Sequence, residues 1–528
     1  MIRGNYLHIR FYFFLLLITA SYVFVACTPT EPKIEEAKIQ RYAESMHFNS
    51  KILNRNVRYS IYLPEKYSKI NSYSTVYLLH GYGGNECNWM KDGKIDLLIA
   101  PLEKANKVDP MIYIMPQGDN NYNVNRFDGT LNYMRMFTQE LVPLIDSLYA
   151  TKKDRAKRAI VGFSMGGYGA LILAAKNPQL FTVSVPLSMS FRTDEQYMNE
   201  PQSVFDYQWA SIFGAKGTTG DARLTDFFKL HSPFHFFASN EKKLTPTVNY
   251  FIDCGDDEET LSETNNALHK LMLQKDIAHE YRMRNGGHNW DYWQSGMREA
   301  LLYIQSCFDA NSYPQETGNS NSEKFSGNLV QLTISETILN VWLPAGYSTS
   351  SSMYPVVYFY HSIEANRLAE TNKMCAALDS LQKVKPFILV EMNAAEVETR
   401  LINMQQISAL IDNSYRTKTA NTNRIGIGNK LGAKLLLVAA NNYSDLMYAS
   451  FIFDAPLGTE IPKLTAKFMY LSCSDTSLDF DLMNKLYLKC RKEKITHQFR
   501  VYNGLPTYNS LLQGMNEAIV SIGLFLSM

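Results

Sequence analysis

The sequence has little of what would direct it to several large classes of function. Only 7 of its 528 residues are cysteine. They lie far apart, with no C-x-x-C pair and no neighbouring histidine cluster, which argues against a zinc site or a dense disulfide framework and leaves most of them as small buried hydrophobes. There is no excess of charge of either sign, with 52 Lys and Arg against 51 Asp and Glu. A basic footprint for nucleic acid is therefore missing, and the balance predicts a neutral or weakly charged partner. Length is not scarce: 528 residues exceed what one core usually organises, so two large domains are expected.

One long apolar run is present, at the N-terminus. Arg3 and Arg10 precede an apolar stretch from Phe11 to Ala26, short for a membrane span but suited to the core of a signal peptide. It ends in Phe24-Val25-Ala26-Cys27, which resembles a bacterial lipobox, where the signal is cut before the cysteine and that cysteine is acylated. Residues 1–27 are accordingly expected to be a lipoprotein signal with Cys27 as the lipidated position. Residues 28–42, polar with two prolines, then form a flexible stalk. A plain transmembrane anchor is the alternative, and either way the body is tethered to a membrane. The expected location is the bacterial cell envelope, on the periplasmic or surface face of the outer membrane.

Beyond the stalk the pattern alternates strands with helices, which implies an α/β fold with a mostly parallel sheet covered on both faces. Tyr59 to Leu63, Thr75 to Leu79, Met111 to Met115, Ala159 to Gly162, Thr247 to Ile252 and His279 to Arg284 read as strands, and Met134 to Tyr149, Gly166 to Lys176 and Glu263 to Gln274 as helices. Residues 310–328 are rich in Asn, Ser, Gly and Pro and read as a linker between domains at 43–309 and 329–528.

The second domain echoes the first. Val341 to Tyr347 matches Ile61 to Tyr67, Tyr354 to His361 matches Ser74 to His80, Arg424 to Ala440 matches Arg158 to Ala174, Met469 to Ser474 matches Tyr250 to Gly255, and His497 to Arg500 matches His279 to Arg282. Matches in register predict a tandem duplication. The distinctive residues are not repeated. Gly162-Phe163-Ser164-Met165-Gly166 becomes Gly428-Asn429-Lys430-Leu431-Gly432, Gly286-Gly287-His288 becomes Gly504-Leu505-Pro506, and His80-Gly81-Tyr82-Gly83-Gly84 becomes His361-Ser362-Ile363-Glu364-Ala365. The second copy is read as degenerate and non-catalytic, with a packing role or a glycan-binding or regulatory one.

Gly162-x-Ser164-x-Gly166 follows a short apolar strand and opens a helix, the setting in which a sharp turn lifts a serine hydroxyl above the sheet. The amide of Met165 at the helix start can bind an oxyanion, and the Gly-rich loop after the strand from Thr75 can supply a second donor, assigned to the amide of Tyr82. His80 in that loop is read as structural, since its copy His361 persists without the serine. A serine hydroxyl needs a base that a carboxylate orients. His288, on a Gly-Gly turn after the last strand, fits the base, and Asp256, Asp257, Glu258 and Glu259 offer carboxylates in a row.

These motifs resemble the esterase D-like esterase family of the α/β-hydrolase superfamily, whose members include feruloyl esterases, acetyl-xylan esterases and mycolyltransferases. The resemblance covers residues 50–309. It rests on Leu63-Pro64, His80-Gly81-x-Gly83-Gly84, Glu140-Leu141-Val142-Pro143 with Asp146, Gly162 to Gly167, Asp253-Cys254-Gly255, and Gly286 to Trp290. The resemblance implies an acid three residues after Gly255, which is Glu258 where relatives carry aspartate; Asp257 is the alternative. It implies a serine carboxylic ester hydrolase that removes acetyl or feruloyl groups from polysaccharide, with no cofactor or metal. The alternatives are acyl transfer to a sugar acceptor, or a glycan-binding scaffold in which the esterase domain is dispensable. The aromatic stretch from Ser188 to Thr247, with Trp209 among eleven rings, is expected to cap the site and to spend most of those rings on its own core.

Overall fold

In a computed structural model the described residues are 41–526, with 240–245, 312, 314–327, 362–376, 421–422, 444, 457, 459, 462 and 503–507 left out. Cys27, the signal and nearly all of the stalk fall outside the described residues, as do most of the expected linker, Gly504-Leu505-Pro506 and the loop that follows His361. Among the described residues no helix is long and apolar enough to cross a membrane.

Among the described residues sixteen strands build a single sheet. The first eight are β1 (Tyr42–Ser50), β2 (Arg55–Tyr62), β3 (Ser74–Leu79), β4 (Met111–Pro116), β5 (Arg158–Phe163), β6 (Val183–Leu187), β7 (Asn249–Gly255) and β8 (His279–Arg284). The others are β9 (Asn328–Ile334), β10 (Thr337–Leu343), β11 (Val356–His361), β12 (Ile388–Asn393), β13 (Arg424–Asn429), β14 (Ala449–Phe453), β15 (Phe468–Ser474) and β16 (Thr496–Tyr502). Their order is β1-β2-β4-β3-β5-β6-β7-β8-β16-β15-β14-β13-β11-β12-β10-β9. Adding eight to each strand number of the N-terminal half gives the order of the C-terminal half, read from the opposite edge. The two halves meet where β8 and β16 run antiparallel, with Met283 opposite Val501. The described residues from Tyr42 onward form one compact unit whose sheet runs through both halves, and each half also has a buried cluster of its own.

The sequence dictates which strands lie at the centre. β3, β4, β5 and β6 are buried along their whole length, the mark of parallel strands covered on both faces, whereas β1 and β9 at the outer edges are largely exposed. β1 claims residues at the end of the expected stalk and beyond it, because polar, one-sided edge strands carry little apolar signal. β6 is also an addition to the sequence reading, since Pro186 within it argues locally against a strand. The helix expected over Met134 to Tyr149 is broken into Tyr133–Met136, a π turn at Phe137–Leu141 and Val142–Leu148. Pro143 lacks the amide that would bond back to the preceding turn, and the wider turn accommodates it.

Covering layers differ between the halves. The helix Met165–Lys176 is buried at all but its last residue, because the helical segment after β6 lies on it. Tyr168 donates to the carbonyl of His231 at 2.8 Å and stacks on Phe191 with ring centroids 4.5 Å apart. Phe191, Tyr197, Trp209, Phe213 and Phe228 are buried against one another, so these rings of the aromatic stretch do make its core. In the C-terminal half β14 and β15 are separated by only a short connection, and the corresponding helix Leu431–Asn442 leaves Val438 exposed. Cys87, Cys254, Cys473 and Cys490 are buried free thiols.

Candidate active site

The site is assembled at the C-terminal ends of β5, β6, β7 and β8, the end at which open parallel sheets present loops for chemistry. Ser164 sits between β5 and the helix Met165–Lys176 with φ 57° and ψ −120°. That backbone is costly for a residue with a side chain, by about 1–3 kcal/mol. It is held by its surroundings: the Ser164 amide donates to the Leu187 carbonyl at 2.9 Å, and its carbonyl accepts from Ser190 at 3.0 Å and Tyr168 at 3.1 Å. A Cβ at Gly162 would overlap the Gly166 carbonyl, and one at Gly166 would lie 2.5 Å from the Leu79 carbonyl, so both glycines are required for the turn to close on the sheet.

Ser164 Oγ lies 2.8 Å from His288 Nε2, and His288 Nδ1 lies 2.7 Å from Glu258 Oε2. The second carboxylate oxygen of Glu258 accepts from Ser188 Oγ at 2.5 Å and from the Gly255 amide at 2.9 Å. Every oxygen of this acid is thus engaged, and its side chain is fully buried. Asp257 is exposed; its amide donates to Gly286 at 3.1 Å, and its carboxylate does not join the Ser164–His288 pair, so Glu258 and not Asp257 faces the imidazole. Asp256 is turned toward the C-terminal half.

The histidine loop is fixed from several sides. Gly286 has φ 137°, which admits glycine, and Asn289 caps the helix Trp290–Phe308 by accepting from the Tyr292 amide at 3.1 Å. Trp293 meets the His288 ring edge-on at 4.9 Å, stacks on Phe163 at 4.3 Å and donates from its indole to Ser188 Oγ at 2.9 Å. Ser188, itself at φ 48°, therefore links Glu258 to Trp293. Sequence spacing gives no hint of this residue, because what marks it is the return of β6 beside the elbow.

The loop after β3 lies against the same turn. His80 is buried with Nδ1 2.7 Å from the Gly81 carbonyl while Nε2 accepts from the Gly118 amide at 2.7 Å, and burial pushes its pKa down, so it serves as a neutral brace. The Gly83 amide is taken by Asn120 Oδ1 at 2.7 Å. Next to it is Tyr82, and the amide of Met165 opens the helix on the other side of Ser164. Behind the site, buried Asp253 is raised to about 6 by desolvation, against the opposing influence of Arg284 and the Tyr292 hydroxyl, both bonded to it.

The parallel sheet, the strained serine elbow and the hydrogen-bonded His288 and Glu258 define an α/β-hydrolase of the serine-esterase type in the N-terminal half. Residues 50–304, just under half of the chain, match the family model described as "Putative esterase". Among similar proteins, an endo-1,4-beta-xylanase/feruloyl esterase of Xylanibacter ruminicola is 32% identical over 131 residues, which is 23% of this chain and 18% of that one. An acetyl esterase of Caldicellulosiruptor saccharolyticus is 25% identical over 278 residues, 50% of this chain and 98% of that one. A solved structure of a ferulic acid esterase is 24% identical, covering 51% of this chain and 98% of its own, with a TM-score of 0.41.

Proposed function

We propose that the chain hydrolyses carboxylic esters through Ser164, His288 and Glu258. In this reading Ser164 Oγ attacks the acyl carbon while His288 Nε2 takes its proton, and Glu258 holds Nδ1 and stabilises the imidazolium that forms. The carbonyl oxygen, now an oxyanion, is received by the amides of Met165 and Tyr82. His288 returns the proton to the leaving alcohol as the C–O bond breaks. Water then attacks the acyl-enzyme, giving its proton to His288, and the acid is released as Ser164 regains its hydrogen. The observation that carries this reading is the unbroken chain of hydrogen bonds from Ser164 to His288 to Glu258, 2.8 and 2.7 Å long.

The substrate class we infer is acetyl or feruloyl ester on polysaccharide. It is supported by relatives named as an acetyl esterase and as a xylanase/feruloyl esterase, and by the exposed rings of Tyr82 and Tyr207, which suit an aromatic acyl group beside the oxyanion loop. We read the C-terminal half as a degenerate copy, and Cys27 as a lipid anchor to the envelope.

The test is hydrolysis of p-nitrophenyl acetate and methyl ferulate by the full-length chain, assayed in membrane and soluble fractions. Wild type should cleave at least one ester, Ser164→Ala should lose at least about 10³-fold in kcat, and Cys27→Ala should move the activity from membranes to the soluble fraction. Equal rates for wild type and Ser164→Ala would refute the mechanism.

A further inference from the structure

Contacts between the halves run along β8 and β16 and the helices Thr260–Gln274 and Phe480–Lys492. One set of them reaches residues 256–259, the loop that carries Glu258. Asp256 Oδ2 accepts from Arg500 Nη1 at 2.6 Å and from the Phe499 amide at 2.9 Å, both in β16 of the C-terminal half. Its other oxygen accepts from the Gly286 amide at 3.1 Å, in the loop of His288. One carboxylate therefore ties together the acid loop, the histidine loop and the C-terminal half. Tyr487, in the helix Phe480–Lys492, donates to the Asp256 carbonyl at 2.7 Å and lies 2.7 Å from Ser262 Oγ. From the same helix Arg491 donates to the Glu259 carbonyl at 2.9 Å and to Glu263 at 2.8 Å.

A mirrored set exists on the other side of the border. Arg282 donates to Asp475 at 3.3 Å, as does the Tyr281 amide, and Arg282 Nε binds Glu299 at 2.9 Å much as Arg500 Nε binds Glu517 at 3.0 Å. The two clamps are the same construction used twice, but only one grips a loop with a carboxylate facing His288. Two residues after Asp475 stands Ser477 where Glu258 follows Asp256. The contact of Arg500 with Asp256 is also shorter than that of Arg282 with Asp475. Buried Asp256 depends on Arg500, since burial raises its pKa and Arg500 is the largest opposing influence.

We propose that the C-terminal half is a positioning device for the esterase site, in which Arg500 and Tyr487 hold the 256–259 loop so that Glu258 stays against His288. This rests on the reading of Ser164, His288 and Glu258 as the triad. Arg500 and Tyr487 touch neither substrate nor reacting atoms; they act through Asp256. A half that has lost its own serine and histidine positions would thereby retain a role in the reaction of the other, and the two halves would form one enzyme.

The experiment compares Arg500→Gln, Arg500→Lys, Tyr487→Phe and the mirrored Arg282→Gln in the full-length chain, by kcat and KM on p-nitrophenyl acetate and by thermal unfolding. Misplacing an oriented acid predicts about a 10-fold loss of kcat in Arg500→Gln and about a 3-fold loss in Tyr487→Phe, with KM nearly unchanged. Arg500→Lys, which keeps the charge, should recover most of the loss. Arg282→Gln should unfold earlier than wild type yet keep its kcat per folded molecule. Wild-type kcat in folded Arg500→Gln, or an equal kcat loss in Arg282→Gln, would overturn the proposal; if Arg500→Gln does not fold, wild-type kcat in Tyr487→Phe would do so. Ser164→Ala in the same assay reports separately on the triad, so failure of that reading is distinguishable.

Discussion

The elbow at Ser164 and its counterpart at Lys430 share a backbone and differ in chemistry. Lys430 has φ 47° and ψ −118° against 57° and −120° for Ser164, and its amide donates to the Phe453 carbonyl at 2.9 Å as Ser164 donates to Leu187. The glycines recur with the same role: a Cβ at Gly428 would lie 2.5 Å from the Gly432 carbonyl, and one at Gly432 would overlap the Tyr360 carbonyl. Even the residue after the next strand repeats, with Ser188 at φ 48° and Asp454 at φ 46°. A strained turn commonly marks a functional site, but here strain persists where the serine is gone. The turn belongs to the way a strand and a helix pack through small residues, and in the mechanism proposed above catalysis is added by three side chains that this packing does not require.

The sharpest way to test that separation is to alter the acid without moving the turn. Glu258→Gln should lower kcat on p-nitrophenyl acetate by about 10² or more, because an amide can no longer stabilise the imidazolium. Asp257→Asn, one residue away and exposed, should stay within about 3-fold of wild type, as surface substitutions usually do. Placing a serine at the other elbow should not restore activity: Ser164→Ala with Lys430→Ser should remain as inactive as Ser164→Ala alone, since Ser477 stands where the acid would be. Hydrolysis by that double variant would break the comparison.

Much of this was legible in the sequence, and for physical reasons. Central parallel strands such as β3 and β4 are continuous apolar runs, and the elbow glycines are fixed by close backbone approach, so both announce themselves locally. The resemblance put Glu258 ahead of Asp257, but the row of carboxylates by itself did not decide between them, because adjacent residues in a loop point in different directions and only the fold selects one. Ser188, which joins Glu258 to Trp293, and Arg500, which reaches Asp256 from 244 residues away, depend on tertiary contacts with no periodic trace. The edge-to-edge join of the two halves at β8 and β16 was not legible either, since a polar linker says nothing about whether the sheets on either side of it pair.

If packing alone makes the elbows, their glycines should matter for stability in both halves but for catalysis in one. Gly166→Ala and Gly432→Ala should each destabilise the chain by about 1–3 kcal/mol, because the added methyl group meets backbone carbonyls that cannot rotate away. Thermal unfolding checks the loss. Per folded molecule, Gly432→Ala should retain wild-type kcat while Gly166→Ala should not, since displacement of that helix start moves Ser164 and the Met165 amide together. A kcat loss in Gly432→Ala would mean that the second elbow is coupled to the first site.

The smallest expected effect separates the halves by pH. Asp454, after the strand beside Lys430, is buried, and desolvation raises its carboxyl from the usual 3.8 to about 6, with Lys430 opposing. A carboxyl raised in the folded state binds its proton more tightly there than in the unfolded chain. Its contribution is therefore fully present below about pH 4 and is lost as pH rises through about 6. His279 in the N-terminal half has the opposite sign: desolvation lowers it from 6.5 to about 4, so the unfolded chain takes up the proton first, and stability is present above about pH 6.5 and lost toward 4. Relative to wild type, the unfolding temperature of Asp454→Asn should rise between pH 4.5 and 7, and that of His279→Gln should fall, with total changes of about 1–3 kcal/mol. Asparagine tolerates the φ of 46° at position 454, so the Asp454 variant isolates the charge from the turn. Neither substitution should change kcat, and a loss confined to Asp454→Asn would show that the second elbow still communicates with Ser164.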